Sequence, residues 1–474
     1  MTLIRRYIAF MRTSLIAVSL CLIAVRHAAA RSPSPVKLAP SEARGRGGQG
    51  VRTTPDTSWV NHSAIYEVFV RDFSPSGDFK GVINGLGRIQ ASGANVIWLM
   101  PIYPVGVLNH KGKLGSSYAV RDYHGINKDY GTAKDFQALV QSVHARGMKL
   151  ILDWVPNHTA WDNVWMRAHR DYYHKNERGE VEVPRDPDGK LTDWTDVAQL
   201  EYKNPALRAA MIDAMKWWLT NYGIDGFRVD AAGFVSDTFW VQAVPALRAA
   251  VHRPILLLAE WGDLKFHRFG FDLTYSWDSY SRLKAVWKGA AADSFVTREV
   301  ADLSTMPPGG ARLRFTTNHD ETAWDQPPIT LFGGAAGARA AFVAAALLPG
   351  RPLIYNGQEV EDSQHLGLFM KDPVVWAQTD TLRSRSFYRL VLNIADTDPA
   401  FLSAPLVPIA TNAPSDVIAY GRGGAVVLVN ARNRAVKVAV QGFQVTGAKD
   451  LLTNATLSSD TVSLAPYGAV VLER

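Results

Sequence analysis

Four short apolar runs in this 474-residue chain end in polar residues whose types could do chemistry: Asp153-Trp154-Val155-Pro156-Asn157-His158, Gly226-Phe227-Arg228-Val229-Asp230, Leu257-Leu258-Ala259-Glu260 and Thr317-Asn318-His319-Asp320. A polar group closing a buried run needs a partner or a function, because burying it alone is costly. Strand period two puts Arg228 and Asp230 on one face, so the guanidinium is expected to keep Asp230 ionised. Glu260 follows apolar residues and is expected to enter a dry pocket, where desolvation raises its proton affinity and keeps it an acid. One ionised and one protonated carboxyl on neighbouring strands is the pairing that cleaves glycosidic bonds with retention, at a separation of about 5–5.5 Å. Any single one of these acids would serve equally as a helix cap or surface charge, and Arg228 with Asp230 as a structural ion pair. Convergence of all four strand ends carries the chemical reading.

Elements that could produce such convergence are legible in the same sequence. Strand-like runs fall at 65–73, 95–102, 149–157, 226–231, 255–261, 271–277, 312–318 and 352–356, with helical stretches such as 132–146, 205–221, 238–251 and 335–348 between them. Several strands are apolar nearly throughout, as strands covered on both faces must be. Eight strand–helix units predict an α/β protein of the (β/α)8 TIM-barrel class, with its chemistry at the C-terminal strand ends. Two segments break the alternation. Residues 159–204 are rich in aromatic and charged residues without a helical period and predict a small inserted domain over the barrel mouth. Beyond 400, short β runs such as Ala425-Val426-Val427-Leu428-Val429-Asn430 predict a C-terminal antiparallel β-sandwich. The predicted organisation is a signal peptide at 1–30, a flexible leader at 31–57, a catalytic barrel at 58–399 with its insert, and a sandwich at 400–474.

Composition removes other classes of function. Hydrophobic residues at 47% and charged residues at 20% exclude a disordered or fibrous chain. The net charge of +7 lies at the N-terminus: residues 1–30 carry +4 and residues 31–52 another +4, leaving −1 for the rest. A near-neutral body offers no footprint for nucleic acid. The first 30 residues combine arginines, the apolar run Ser14 to Val25 and Ala28-Ala29-Ala30, the pattern of an export signal. Secreted or periplasmic localisation is therefore expected, without membrane insertion after cleavage. Cys21, the only cysteine, falls within that signal, so stability is expected to come from the core rather than from disulfides.

Read together, the ordered motifs resemble the α-amylase family of glycoside hydrolases. Further matches are Ile97-Trp98-Leu99-Met100-Pro101-Ile102, Ser117-Tyr118-Ala119-Val120-Arg121-Asp122-Tyr123 and Gln199-Leu200-Glu201-Tyr202-Lys203-Asn204-Pro205. The resemblance implies that Asp230 is the nucleophile forming a covalent glucosyl intermediate, Glu260 the general acid and later base, and Asp320 the carboxylate that binds hydroxyls of the distorted sugar. It also implies that Arg228 orients the nucleophile, that Tyr118 stacks beneath the same sugar, that His158 and His319 bind hydroxyls, and that Asp153 supports the site from behind.

The implied activity is hydrolysis of α-1,4-glucosidic bonds in starch or maltodextrins, with an α-glucan as partner. Two alternatives share the scaffold: a transglycosylase or a sucrose- or trehalose-acting enzyme, and an inactive glycan-binding barrel, which the presence of all three carboxylates argues against. No cofactor is expected to be required. Of the positions that bind calcium in many relatives, Asn157 matches, whereas Gln199 replaces an aspartate and Phe234 a histidine; Gly233 replaces a neighbouring lysine. Acids of the insert, among them Asp162, Glu182, Asp186 and Asp196, are an alternative source of cation ligands.

Overall fold

The computed structural model describes residues 58–376 and 381–474; the expected signal peptide and leader lie outside the described residues. Eight parallel strands close into a barrel: β1 (Ile65–Val68), β2 (Val96–Leu99), β3 (Lys149–Trp154), β6 (Gly226–Val229), β7 (Leu256–Ala259), β8 (Leu273–Tyr275), β9 (Ala311–Arg314) and β10 (Arg351–Tyr355), with β10 returning to pair with β1. Each expected strand is present, in the expected order. Leu150, Ile151 and Leu152 of β3 are completely buried, as interior strands under a ring of helices must be. At Gly226 a Cβ would stand 1.9 Å from the Leu256 carbonyl oxygen, so only glycine lets β6 approach β7 there.

Most strands end short of the expected bounds, as at Leu99, Ala259, Tyr275 and Arg314, and at β1 and β3 the structure shows what ends them. β1 stops at Val68, and residues Val70–Phe73 form one helical turn. Its continuation is diverted because the Phe69 amide donates to Asn356 Oδ1 at 2.7 Å, while Arg71 reaches the carbonyls of Gly115 and Leu368. β3 stops at Trp154, ahead of Pro156, which has no N–H for a ladder.

The helices begin where capping chemistry permits. The helix Ala133–His144 starts with a capping box between Thr132 and Asp135, and Pro205–Asn221 starts with proline in its first turn under an Asn204 cap. The insert carries β4 (His158–Ala160) and β5 (Val197–Gln199), paired antiparallel with His158 opposite Gln199.

At the C-terminus, β11 (Val407–Pro408), β12 (Val417–Arg422), β13 (Ala425–Asn430), β17 (Ala469–Glu473) and β15 (Lys449–Asp450) form one antiparallel sheet, while β14 (Val436–Ala439) pairs with β16 (Thr461–Leu464). Alternation gives the larger sheet two buried faces. Ile418, Tyr420, Val427 and Val429 join the core of the barrel, and Val417, Val426 and Leu428 pack with Val438 and Val462 of the smaller sheet.

Candidate active site

Strand register assembles the site. β3 and β6 pair with Asp153 opposite Arg228, and the ladder runs one residue beyond two strands: the Asp230 amide donates to the Trp154 carbonyl at 2.8 Å and the Glu260 amide to the Val229 carbonyl at 2.9 Å. Three adjacent strand ends thus place Asp153, Arg228, Asp230 and Glu260 side by side.

Arg228 is the hub, with no exposed surface. Its Nη1 lies 3.0 Å from Asp153 Oδ1 and 3.0 Å from Asp230 Oδ1, and its Nη2 lies 2.8 Å from Glu260 Oε1. That last approach is a charge contact without hydrogen-bond alignment. The guanidinium also sits over the rings of Trp98, Tyr275 and Tyr118, at 5.0, 5.7 and 5.8 Å, contacts that favour a cation. Burial opposes its charge, but Asp153 and Glu260 outweigh that and hold its proton more firmly than usual.

Glu260 is not alone in an apolar pocket, and the expectation from its sequence neighbours is corrected here. Besides Arg228 it has a backbone donor, the Ala231 N–H, 2.7 Å from Oε2. Ala231 takes φ +42°, in the left-handed region, a strained turn for a residue with a Cβ that aims this N–H across to β7. The apolar run preceding Glu260 describes its own strand; its partners come from β6.

Nor is Asp230 simply stabilised as an anion by Arg228. Burial first, and the charge of Glu260 next, raise its pKa well above the usual aspartate range. One arginine thus serves two carboxylates on adjacent strand ends, Asp230 through Nη1 and Glu260 through Nη2. Asp153 is pushed up to about 6, chiefly by burial, and accepts hydrogen bonds from Arg228, Trp98 Nε1 and Tyr118 Oη. It has no exposed surface and holds Arg228 and Tyr118 without itself facing solvent.

Asp320 arrives from the opposite wall, in the first turn of the helix His319–Trp324, whose cap Asn318 accepts from the Glu321 amide at 2.9 Å. Its side chain keeps 30% of its surface open, and its pKa is pushed up to about 7 by burial and by Glu260. His319 Nε2 lies 3.4 Å from Asp320 Oδ2 and 2.8 Å from Tyr118 Oη, and the two rings stack at 5.4 Å. His158, at the start of β4, bonds to the Tyr118 backbone and meets Trp194 edge-on at 5.4 Å; burial lowers its pKa to about 3, which leaves it neutral at neutral pH.

All eight residues singled out in the sequence are therefore joined in one network. Four further participants were not foreseen: Ala231, Trp98, Tyr275 and Glu67, whose carboxylate meets His319 Nδ1. Glu67 left a signal, as the one acid inside the wholly buried strand Ile65–Val68.

The donors at the family's calcium position do not fit that ion. Phe234 offers no oxygen and stacks on Trp194 at 5.6 Å, while Gln199 Oε1 already accepts from the Arg185 amide at 3.0 Å. Beside them Trp261 lies flat against Gly233, where a Cβ would fall 2.1 Å from its ring. Three of the insert's acids pair with cations, Asp162 with Arg121, Asp196 with Lys111 and Glu182 with Arg185, while Asp186 accepts from the backbone amides of Asp188 and Lys190. A cavity of about 360 Å³ borders Phe234 and Gln199, lined also by His174, Glu201, Lys203 and Arg208; none of the eight site residues lines it.

A closed parallel barrel with acids gathered at its C-terminal strand ends has the architecture of a barrel glycosidase. Comparison makes this specific: the family model "Alpha amylase, catalytic domain" matches residues 51–249. Alpha-amylase 3 of Dictyoglomus thermophilum is 28% identical over 366 residues, 69% of each chain. Trehalose synthase/amylase TreS of Mycobacterium tuberculosis is 32% identical over 235 residues, 40% of this chain and 36% of that protein. The solved structure of an alpha-amylase from Lactobacillus plantarum superposes with a TM-score of 0.77 at 28% identity, covering 88% of this chain and 99% of that one. The chain belongs to the α-amylase family of glycoside hydrolases.

Proposed function

We propose that the protein is an exported retaining hydrolase of α-1,4-glucosidic bonds in starch or maltodextrins. The observation that carries this reading is the single guanidinium of Arg228 in contact with both Asp230 and Glu260 on adjacent strand ends. Asp230 attacks the anomeric carbon as the C–O bond to the leaving sugar breaks, and Glu260 delivers its proton to the departing oxygen. The glucosyl–Asp230 ester is then cleaved by water, whose proton returns to Glu260. A glycosidic oxygen beside Glu260 gives that carboxyl an acceptor for its proton, while Arg228 remains to neutralise Asp230 as it attacks. Asp320 and His319, on the facing wall, bind hydroxyls of the sugar undergoing distortion toward the transition state, and Tyr118 lies under its ring.

No calcium enters this scheme, and export rests on the residues 1–30. Following the anomeric protons of maltoheptaose products by NMR tests the reading, with the α-anomer expected first. A second reading, transfer of the glucosyl unit to another sugar, is favoured by the similarity to the mycobacterial trehalose synthase/amylase. Chromatography of products from the same substrate separates the two, since only transfer gives oligosaccharides longer than the starting chain.

A further inference from the structure

Glu67 is completely buried in β1. Its Oε2 has no hydrogen-bond partner, and its Oε1 meets His319 Nδ1. A buried carboxylate with one partner is costly unless that partner carries a positive charge. Hydrogen-bond counting gives the same answer from the other side of the ring. Tyr118 has one hydroxyl proton and two close neighbours, Asp153 Oδ2 at 3.1 Å and His319 Nε2 at 2.8 Å. Asp153 accepts from Arg228, Trp98 and Tyr118, the pattern of a carboxylate. With the tyrosine proton directed to Asp153, the Tyr118–His319 contact requires a proton on Nε2. Burial raises the pKa of Glu67, and His319 and Arg228 oppose that rise; with Glu67 held as the anion, Nδ1 also requires a proton. We propose that Glu67 is a positioning residue that holds His319 as an imidazolium, so that the ring presents an N–H toward Tyr118 and Asp320 instead of a lone pair.

The consequence rests on the hydrolase reading above. Asp320 and the sugar hydroxyls it binds would face a fixed cation whose proton is set from inside the barrel, by a residue 252 positions away in sequence. Groups facing the ring are Glu67 from β1, Tyr118 from the loop before the insert, Asp320 from its own helix, and the edge of Trp98 from β2.

The test is two-bond ¹H–¹⁵N NMR of the full chain labelled in histidine, with His319 signals assigned by their loss in His319→Gln. Both ring nitrogens of His319 are expected to carry protons at pH 7 in the unmodified protein. A neutral ring there overturns the proposal without any Glu67 variant having to fold. In Glu67→Gln, which keeps shape and an acceptor but removes the charge, one nitrogen should lose its proton. Its kcat on maltoheptaose should fall on the order of tenfold to a hundredfold, with a smaller change in KM. A folded Glu67→Gln that keeps the imidazolium, or that loses it at unchanged kcat, contradicts the inference. The ring readout needs no activity, so an inactive unmodified protein would count against the hydrolase reading and not against Glu67.

Discussion

Arg228 and Asp153 face each other across the β3–β6 register at 3.0 Å, and neither side chain has any exposed surface. Arg228→Lys keeps the charge but cannot span three carboxylates from one planar fork. Removing one partner of a buried pair costs about 3–5 kcal/mol, and the lysine should recover only part of that. The variant should melt several degrees lower and lose roughly two decades or more of kcat/KM. Calorimetry and steady-state kinetics check both, and a variant matching the parent would show that the shared guanidinium is dispensable.

Asp230→Asn should fold as the parent does and lose roughly three or more decades of kcat, the consequence of deleting the covalent step. Activity within about tenfold of the parent would remove Asp230 from the nucleophile's role.

Glu260→Gln separates proton donation from the rest of catalysis. Hydrolysis of maltodextrins should collapse, whereas an α-glucosyl fluoride, whose leaving group needs no proton, should be cleaved at a rate much closer to the parent's. Equal losses on the two substrates would exclude Glu260 as the acid.

Asp320 links the site to stability. Its folded pKa of about 7 lies above its ordinary value of 3.8, so between those values the native state binds more protons than the unfolded chain, and this group's contribution to stability declines as pH rises from about 4 to about 7. His158, lowered to about 3, acts with the opposite sign over much of the same range and Asp153, pushed up to about 6, with the same sign, so the parent's own pH profile mixes several groups. Asp320→Asn isolates the acid: relative to the parent it should be more stable at pH 8 than at pH 4 by urea titration. A pH-independent difference would mean that burial does not raise this carboxyl.

The barrel was legible because its strands are continuous apolar runs, and Asp153, Asp230, Glu260 and Asp320 stood out at the ends of such runs, with Arg228 on the same strand face as Asp230. The sequence misled at Glu260, because the Ala231 N–H and Arg228 reach that residue across strands and through a left-handed turn that no local pattern marks. Glu67 went unnoticed for a related reason: it looks like an isolated acid in a short strand until the closed barrel brings His319 to it. The break of β1 at Val68 likewise depends on Asn356, 287 positions on in sequence and brought beside β1 only by the pairing of β10 with it.

Dialysis against a chelator should leave both the melting temperature and starch hydrolysis nearly unchanged, since at the usual calcium position Phe234 offers no side-chain oxygen and Gln199 Oε1 is neutral and already accepts from the Arg185 amide. A drop of many degrees restored by added calcium would mean that other ligands rebuild a site.

The most direct test of the account is to trap the intermediate. After incubation with 5-fluoro-α-glucosyl fluoride, which slows hydrolysis of a glycosyl-enzyme ester more than its formation, peptide mass spectrometry should find one fluoroglucosyl adduct, attached to Asp230 and absent from Asp230→Asn. An adduct on another carboxylate, or its persistence in Asp230→Asn, would contradict the assignment of Asp230 as the nucleophile at the end of β6.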